Sequence, residues 1–225
     1  MKKLLYVTHS AGYRHEVLPY SQEVMKKLGA DTGAFEATCT DDVGTVDWNS
    51  LGRYDAIAFC TTGELPISDE AKKNLIEFVR GGKAFIGIHN ATDTFYKFEP
   101  YGEMIGGYFN GHPWHQDVGI IVEDRNHPST RHLDEKFQAH DEVYTHRSWS
   151  RDKTHVLMRL DNSSVDLAKA QGQREDRDFA MAWCHPFGAG RVFYTALGHG
   201  MPTWTDERFQ KHLLGGIQWA MREAE

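Results

Sequence analysis

The chain has 225 residues, of which 40% are hydrophobic and 25% are charged, and its formal net charge is −7. This length allows one large core, and because no linker or composition shift divides the chain we expect a single domain over residues 1–225. The negative charge without clustered Lys and Arg argues against a nucleic-acid partner, and the apolar runs are too short for a membrane span.

The first part of the chain alternates strand patterns with helix patterns. Strands are predicted at residues 4–8, 35–38 and 54–60, and helices at 17–28 and from Ser68 to the pair Gly81 and Gly82. Such alternation is typical of a parallel sheet with crossover helices. We therefore predict an α/β fold with a mostly parallel sheet and helices on both faces.

The stretch Ala84–Asp93 predicts a buried strand that turns sharply into a helix, with His89 at the apex. Gly87 and Ala91 flank His89, and small residues in these places allow the strained turn of a nucleophile elbow. Histidine does not serve as the acyl-accepting nucleophile of a hydrolase triad, but it can bind a metal or transfer a proton near neutral pH. The sequence therefore predicts a chemistry other than acyl transfer, with Asp93 stabilising the start of the helix.

The second part of the chain predicts more strands than helices. After a short helix at 100–107, strands are predicted at 118–122, 142–144, 156–160, 179–183 and 191–195. An amphipathic helix at 206–221 follows them, and the polar segment 161–178 is predicted to be a surface loop or lid.

Several histidines follow predicted strands and should meet at one edge of the sheet, because the carboxyl ends of parallel strands share a crevice. Convergence of this kind is how a three-histidine zinc site is usually built. The candidate metal ligands are His9, His15, His89 and His199. The alternative is that His89 and His199 only donate hydrogen bonds to a bound substrate.

Histidine and aromatic residues are also neighbours in the chain, as in His112, Trp114 and His115. Aromatic rings beside polar groups often line a pocket for a sugar, although tryptophan can equally fill a core. The candidate substrate-binding residues are Glu64, His112, Trp114, His115 and Tyr144. Asp141 and Glu142 are candidates for a general base or for orienting a metal-bound imidazole.

The three cysteines lie far apart in apolar runs, at Cys39, Cys60 and Cys184. An odd number without paired spacing predicts reduced core thiols and a cytoplasmic protein. Cys184 and His185 cannot form a catalytic pair within a strand, because neighbouring side chains point to opposite faces.

Five motifs together resemble the ThuA-like (trehalose utilisation) family, in order and over nearly the whole chain. They are His9–His15, Gly87–Asp93, Gly111–Trp114, His140–Tyr144 and Gly190–His199. The resemblance implies the class I glutamine amidotransferase-like (flavodoxin-like) fold. In that fold the elbow carries a cysteine and a later strand delivers its histidine, and these places hold His89 and His199 here. Met201 stands where the triad carboxylate should be, so amidotransferase activity is not expected.

The resemblance further implies the catabolism of a disaccharide, a glycoside or its 3-keto derivative. Oxidation at C3 acidifies the proton at C2, so metal-assisted elimination, hydration or hydrolysis is expected. The candidate catalytic residues are His89, His199, Asp141 and Glu142. The expected cofactor is zinc or a similar divalent metal, with no nucleotide. The alternative function is a non-catalytic carbohydrate-binding or regulatory protein, and both a monomer and a homo-oligomer stay open.

Overall fold

The computed structural model describes residues 1–225 and contains eleven strands and five helices. The first part has β1 (Lys2–Val7), α1 (Leu18–Thr32), β2 (Phe35–Thr40), β3 (Ala56–Phe59), α2 (Asp69–Arg80) and β4 (Ala84–Ile88). The middle has α3 (Glu99–Ile105), β5 (Tyr108–Phe109), β6 (Trp114–Val122), β7 (Lys136–Val143), β8 (His146–Arg147) and β9 (His155–Leu160). The last part has β10 (Ala180–Phe187), β11 (Gly190–Thr195), α4 (Met201–Thr205) and α5 (Glu207–Ala220).

Nine of the strands form one sheet in the order β2-β1-β3-β4-β11-β10-β9-β6-β7. The five strands from β2 to β11 in this order pair in parallel. The remaining pairs, from β11 and β10 to β6 and β7, are antiparallel. β5 and β8 pair separately beside the sheet. The predicted class I glutamine amidotransferase-like (flavodoxin-like) α/β fold is confirmed, with its parallel pairing confined to the side of the sheet that carries the predicted elbow.

Helices cover both faces of the parallel strands. Phe193 and Tyr194 are neighbours in β11 and therefore point to opposite faces. On one face Gly216 of α5 comes so close to Phe193 that an added Cβ would lie 2.4 Å from the ring. On the other face a Cβ on Gly87 would lie 2.9 Å from Tyr194 and 3.0 Å from Ile105 of α3. The sheet is thus buried on both sides, as its continuous apolar strands predict.

α2 shows why the first helices could be located from sequence. The Ser68 side chain accepts a hydrogen bond from the backbone N–H of Ala71 at 3.1 Å, and Asp69 lies in the first turn. Both features stabilise a helix N-terminus. Leu75 and Val79 are buried at helical spacing, so the cap and the apolar stripe both indicate the same helix.

The antiparallel strands are longer than predicted. β6 begins at Trp114 and not at residue 118, and β7 begins at Lys136 and not at residue 142, with eight residue pairs between them. His115 and His140 are exposed polar residues within these strands, so the run of apolar residues that marks a buried strand is interrupted. The segment His89–Asp93 also differs from the predicted helix, because it is a short 3-10 turn.

The polar segment 161–178 contains two short 3-10 turns, Asn162–Ser164 and Leu167–Ala170. Gln173 anchors this segment, because its Oε1 accepts a hydrogen bond from Thr145 at 2.8 Å and its carbonyl accepts one from Asn110 at 3.0 Å. No helix has the length and the apolar composition needed to cross a membrane.

Two buried histidines should make the fold sensitive to acid. Burial lowers the pKa of His146 and of His212 to about 3, against an ordinary value of about 6.5 in the unfolded chain. Between these values the unfolded state binds more protons, so the free energy of unfolding falls as the pH drops through this window. Each histidine contributes a slope of up to about 1.4 kcal/mol per pH unit.

We expect His212→Gln to make urea-unfolding free energies depend less steeply on pH between about 6.5 and 4. The variant His155→Gln, which removes an exposed imidazole, is the control. An unchanged slope in His212→Gln would contradict this origin of the acid sensitivity.

Candidate active site

His89 stands at the elbow between β4 and the following turn, fully buried and with φ of 45°. This left-handed value is unusual for a residue with a side chain, and the predicted strained elbow is confirmed. His89 Nδ1 lies 2.7 Å from the carbonyl oxygen of Ala196, just beyond β11. Because a carbonyl only accepts, Nδ1 carries a proton, which leaves Nε2 as the ring nitrogen that faces Glu142 and His199.

Four side chains from four parts of the chain meet at this point. His15, His89, Glu142 and His199 each offer one ligand atom, and these atoms lie within 4.8 Å of one another. The ring centroids of His15, His89 and His199 are 5.0 to 5.3 Å apart. His15 comes from the loop after β1, His89 from the end of β4, Glu142 from β7 and His199 from the loop after β11.

Glu142 is the acidic centre of this group. Its Oε2 lies 3.2 Å from His199 Nδ1 and 3.5 Å from His89 Nε2, and its Oε1 lies 3.0 Å from His112 Nδ1. Burial alone would raise the pKa of Glu142, but hydrogen bonds and charge from His199 and His89 outweigh it and hold that pKa well below its usual value. The same hydrogen bond raises the pKa of His199.

His15 stays neutral in this environment. Burial lowers its pKa to about 3, and the charges of His89 and His199 act in the same direction. Asn90 Nδ2 lies 3.1 Å from His15 Nδ1, while the buried Asn90 Oδ1 has no hydrogen-bond partner. If the amide is turned over, Oδ1 accepts a hydrogen bond from His15 Nδ1–H, which leaves the Nε2 lone pair free for a ligand.

Asp141 points away from Glu142 and holds the His199 loop. Its carboxylate accepts hydrogen bonds from the backbone N–H groups of Gly198 at 2.8 Å and His199 at 3.1 Å. It also accepts one from the Thr203 hydroxyl at 2.7 Å and one from the Glu142 N–H at 2.8 Å. These bonds use the lone pairs that a general base would need. Asp141 therefore positions the His199 loop and does not have the expected catalytic role.

Aromatic rings form a wall on one side of His89. The Tyr144 ring centroid lies 4.2 Å from that of His89, and Phe109 lies 4.4 Å from Tyr144. His112 stacks on Phe109 with centroids 5.8 Å apart, and its side chain is 52% exposed. His115 lies beside His199 with centroids 4.8 Å apart. Tyr144, His112 and His115 therefore surround the four-residue group.

Three candidate residues lie outside the group. His9 Nδ1 lies 2.7 Å from the carbonyl oxygen of Asp41, because the end of β1 adjoins β2 and not β4. Glu64 Oε1 accepts a hydrogen bond from the Lys97 N–H at 3.0 Å, beside the segment that follows the elbow. Trp114 is buried and donates to the Asp166 carbonyl at 2.9 Å, because its side chain points to the opposite face of β6 from His115.

The sequence interpretation did not identify Asn90, Phe109 or Tyr13 as part of the site. The only sequence feature that pointed to Asn90 was its position directly after His89. Phe109 reaches Tyr144 only through the small β5 and β8 ladder. The Tyr13 ring lies edge-on to His15 at 4.9 Å, a contact that depends on the course of the loop after β1.

Removal of the Asp141 carboxylate should destabilise the fold strongly. Asp141→Ala removes the acceptor of three backbone N–H groups and one hydroxyl, and we expect a loss of about 3 kcal/mol or more in the free energy of unfolding. Asp117→Ala is the matched control, because that side chain is 79% exposed and should cost about 0.5 kcal/mol or less. Equal losses in chemical denaturation would contradict the anchoring role of Asp141.

Comparison with known proteins agrees with this architecture. A ThuA-like protein from Bacteroides uniformis is 21% identical with a TM-score of 0.79, and the match covers 100% of this chain and 93% of that one. One from Parabacteroides merdae is 18% identical with a TM-score of 0.75, covering 99% and 91%. A protein described as cytoplasmic from Salmonella typhimurium is 12% identical with a TM-score of 0.64, covering 98% and 99%. These likenesses show the fold.

Comparison with proteins of curated function gave no match. The sequence itself matches the ThuA family, which is described as trehalose utilisation, over residues 3–220. That range includes every residue of the candidate site. The chain therefore belongs to the ThuA family.

Proposed function

We propose that this protein is a metal-dependent enzyme that breaks the 3-keto derivative of a disaccharide or glycoside by elimination. The observation that carries the proposal is the group of His15, His89, Glu142 and His199, which lies at the elbow where related folds place an acyl-accepting nucleophile. Imidazole and carboxylate at this point suit a metal and proton transfer rather than an acyl intermediate.

The donor set fits a divalent metal such as zinc. Zinc binds imidazole nitrogen and carboxylate oxygen at about 2.0–2.2 Å, so ligand atoms around one ion lie roughly 3–4 Å apart. The four donor atoms lie within 4.8 Å of one another and need only a small contraction. The hydrogen bond from His89 Nδ1 to the Ala196 carbonyl is the kind of support that a metal-binding imidazole usually has.

A bound divalent ion would supply Lewis acidity to a carbonyl oxygen of the substrate. His112 is the residue best placed to move a proton. Its Nδ1 lies 3.0 Å from Glu142 Oε1 and its side chain is half-exposed, so Nδ1–H donates to the carboxylate and Nε2 is the nitrogen that can take a proton.

In a 3-keto-glycoside His112 would take the C2 proton. The C–H electron pair then forms a double bond between C1 and C2, and the bond from C1 to the glycosidic oxygen breaks. The leaving group takes a proton from water. Phe109, which is half-buried, would pack against the sugar ring during this step.

The proposed sugar substrate is supported by the aromatic wall beside polar groups and by the trehalose-utilisation description of the family.

A cytoplasmic location is proposed from the three free cysteines and from the description of the Salmonella relative. A binding protein without catalysis is the competing function, and turnover decides between the two.

The metal proposal is tested by metal content. We expect the wild-type protein to bind about one equivalent of zinc in equilibrium dialysis, and His89→Ala and Glu142→Ala to lose most of it. His9→Ala should keep it, because His9 binds the Asp41 carbonyl instead. Glu142 raises the pKa of His199, so protons compete with zinc for that ligand. As the pH is lowered, zinc affinity should therefore begin to fall while the pH is still above about 6.5. Full zinc occupancy in both alanine variants would remove these residues as ligands.

The role of His112 is tested by turnover of a 3-keto-glucoside. His112→Gln should lower kcat by about 100-fold or more, the usual contribution of a general base, while the zinc content stays at the wild-type level. His140→Gln is the control, because His140 is bound to Asp117 outside the site. Sugar binding without turnover in the wild-type protein would instead support the carbohydrate-binding alternative.

A further inference from the structure

Two exposed apolar side chains line a cavity that also includes two of the four candidate metal ligands. Apart from Met1, the large hydrophobic residues that are exposed are Tyr13 and Met201, with exposed fractions of 67% and 46%. Both line one cavity of about 310 Å³, and His15 and His199 line the same cavity. Small-molecule sites begin at about 300 Å³, so the cavity has room for a small ligand that reaches the candidate metal ligands.

The position of this pair is unusual because exposed apolar residues are normally scattered singly over a surface. Tyr13 and Met201 come from opposite ends of the chain, yet both line the cavity that His15 and His199 also line. The Tyr13 ring is also in edge contact with His15, with centroids 4.9 Å apart. The exposed apolar surface is therefore continuous with the proposed site.

The backbone that carries Tyr13 is fixed. Its carbonyl accepts a hydrogen bond from the Thr62 hydroxyl at 2.8 Å. The Ala11 N–H donates to the Thr62 carbonyl at 2.8 Å, so the loop after β1 is tied to the end of β3. An exposed ring on an anchored loop loses little conformational freedom when a ligand packs against it.

The backbone that carries Met201 is fixed as well. Met201 begins α4, which is held by the Thr203 hydroxyl bound to Asp141 at 2.7 Å and by Trp204 Nε1 bound to the Gly198 carbonyl at 2.9 Å. A thioether packs well against aromatic rings and adapts to their shape. The two side chains thus present a preformed apolar surface outside the metal ligands.

We propose that Tyr13 and Met201 form an outer subsite that binds the apolar or aromatic aglycone of a glycoside whose sugar unit reaches His15 and His199. This inference rests on the proposed function and adds the class of leaving group. Glu16 lines the same cavity and disfavours an anionic aglycone. Two side chains are far too small a surface for a protein partner, since a specific interface buries about 1,200 Å² or more.

The test compares methyl and phenyl glucosides, in both anomeric forms and as their 3-keto derivatives, by calorimetry on the zinc-loaded protein. We expect one phenyl compound to bind about fivefold to tenfold more tightly than its methyl counterpart. Tyr13→Ser and Met201→Ser should each reduce this ratio, and the double variant should bring it close to one. Tyr13→Phe and Met201→Leu keep the apolar surface and should keep the ratio.

The outcomes separate this inference from the proposed function. Equal affinity for methyl and phenyl compounds in the wild-type protein overturns the outer subsite and leaves the sugar site standing. A phenyl preference that survives in the double serine variant also overturns it. If no compound binds the wild-type protein, the proposed function fails and the subsite fails with it. Circular dichroism and zinc content of each variant show that a lost preference is not a lost fold.

Discussion

Glu142 places one carboxylate against three imidazoles at the edge of a buried sheet, and the site is arranged around it. One oxygen lies near His89 and His199 and the other near His112. A buried charge is tolerated only with partners, so these contacts stabilise Glu142 while they orient the imidazoles. Burial keeps His15 neutral, which limits the positive charge that the group must hold.

The arrangement depends on a contact that strand pairing does not supply. β7 is the outermost strand on its side of the sheet, with β10, β9 and β6 between it and β11. Asp141 of β7 nevertheless binds the backbone of the loop that follows β11. The antiparallel part of the sheet must therefore curve back over the parallel part, as the twist of a large sheet allows. Neighbouring residues of β7 serve both purposes, with Asp141 fixing the loop and Glu142 entering the site.

The elbow has the backbone that a nucleophile would require but a different side chain and different partners. Gly87 leaves space for Tyr194, whose hydroxyl donates to the His89 carbonyl at 2.7 Å. The Ala196 carbonyl fixes the His89 ring from the other side. A strained residue persists only where its surroundings hold it firmly, and these two hydrogen bonds from β11 and its loop do so. The result is a rigid imidazole rather than an activated nucleophile.

The sequence by itself determined the α/β order of the first part, the strained elbow at His89 and the absence of an acyl nucleophile there, because these follow from local periodicity, capping and small residues. It also indicated that histidines after parallel strands would converge. Tertiary structure decided which of them did. His15 and not His9 reaches His89, because β1 lies between β2 and β3. Glu142 joins them and Trp114 does not, because the alternating faces of β6 and β7 and the curvature of the sheet direct each side chain, and neither is encoded in local pattern.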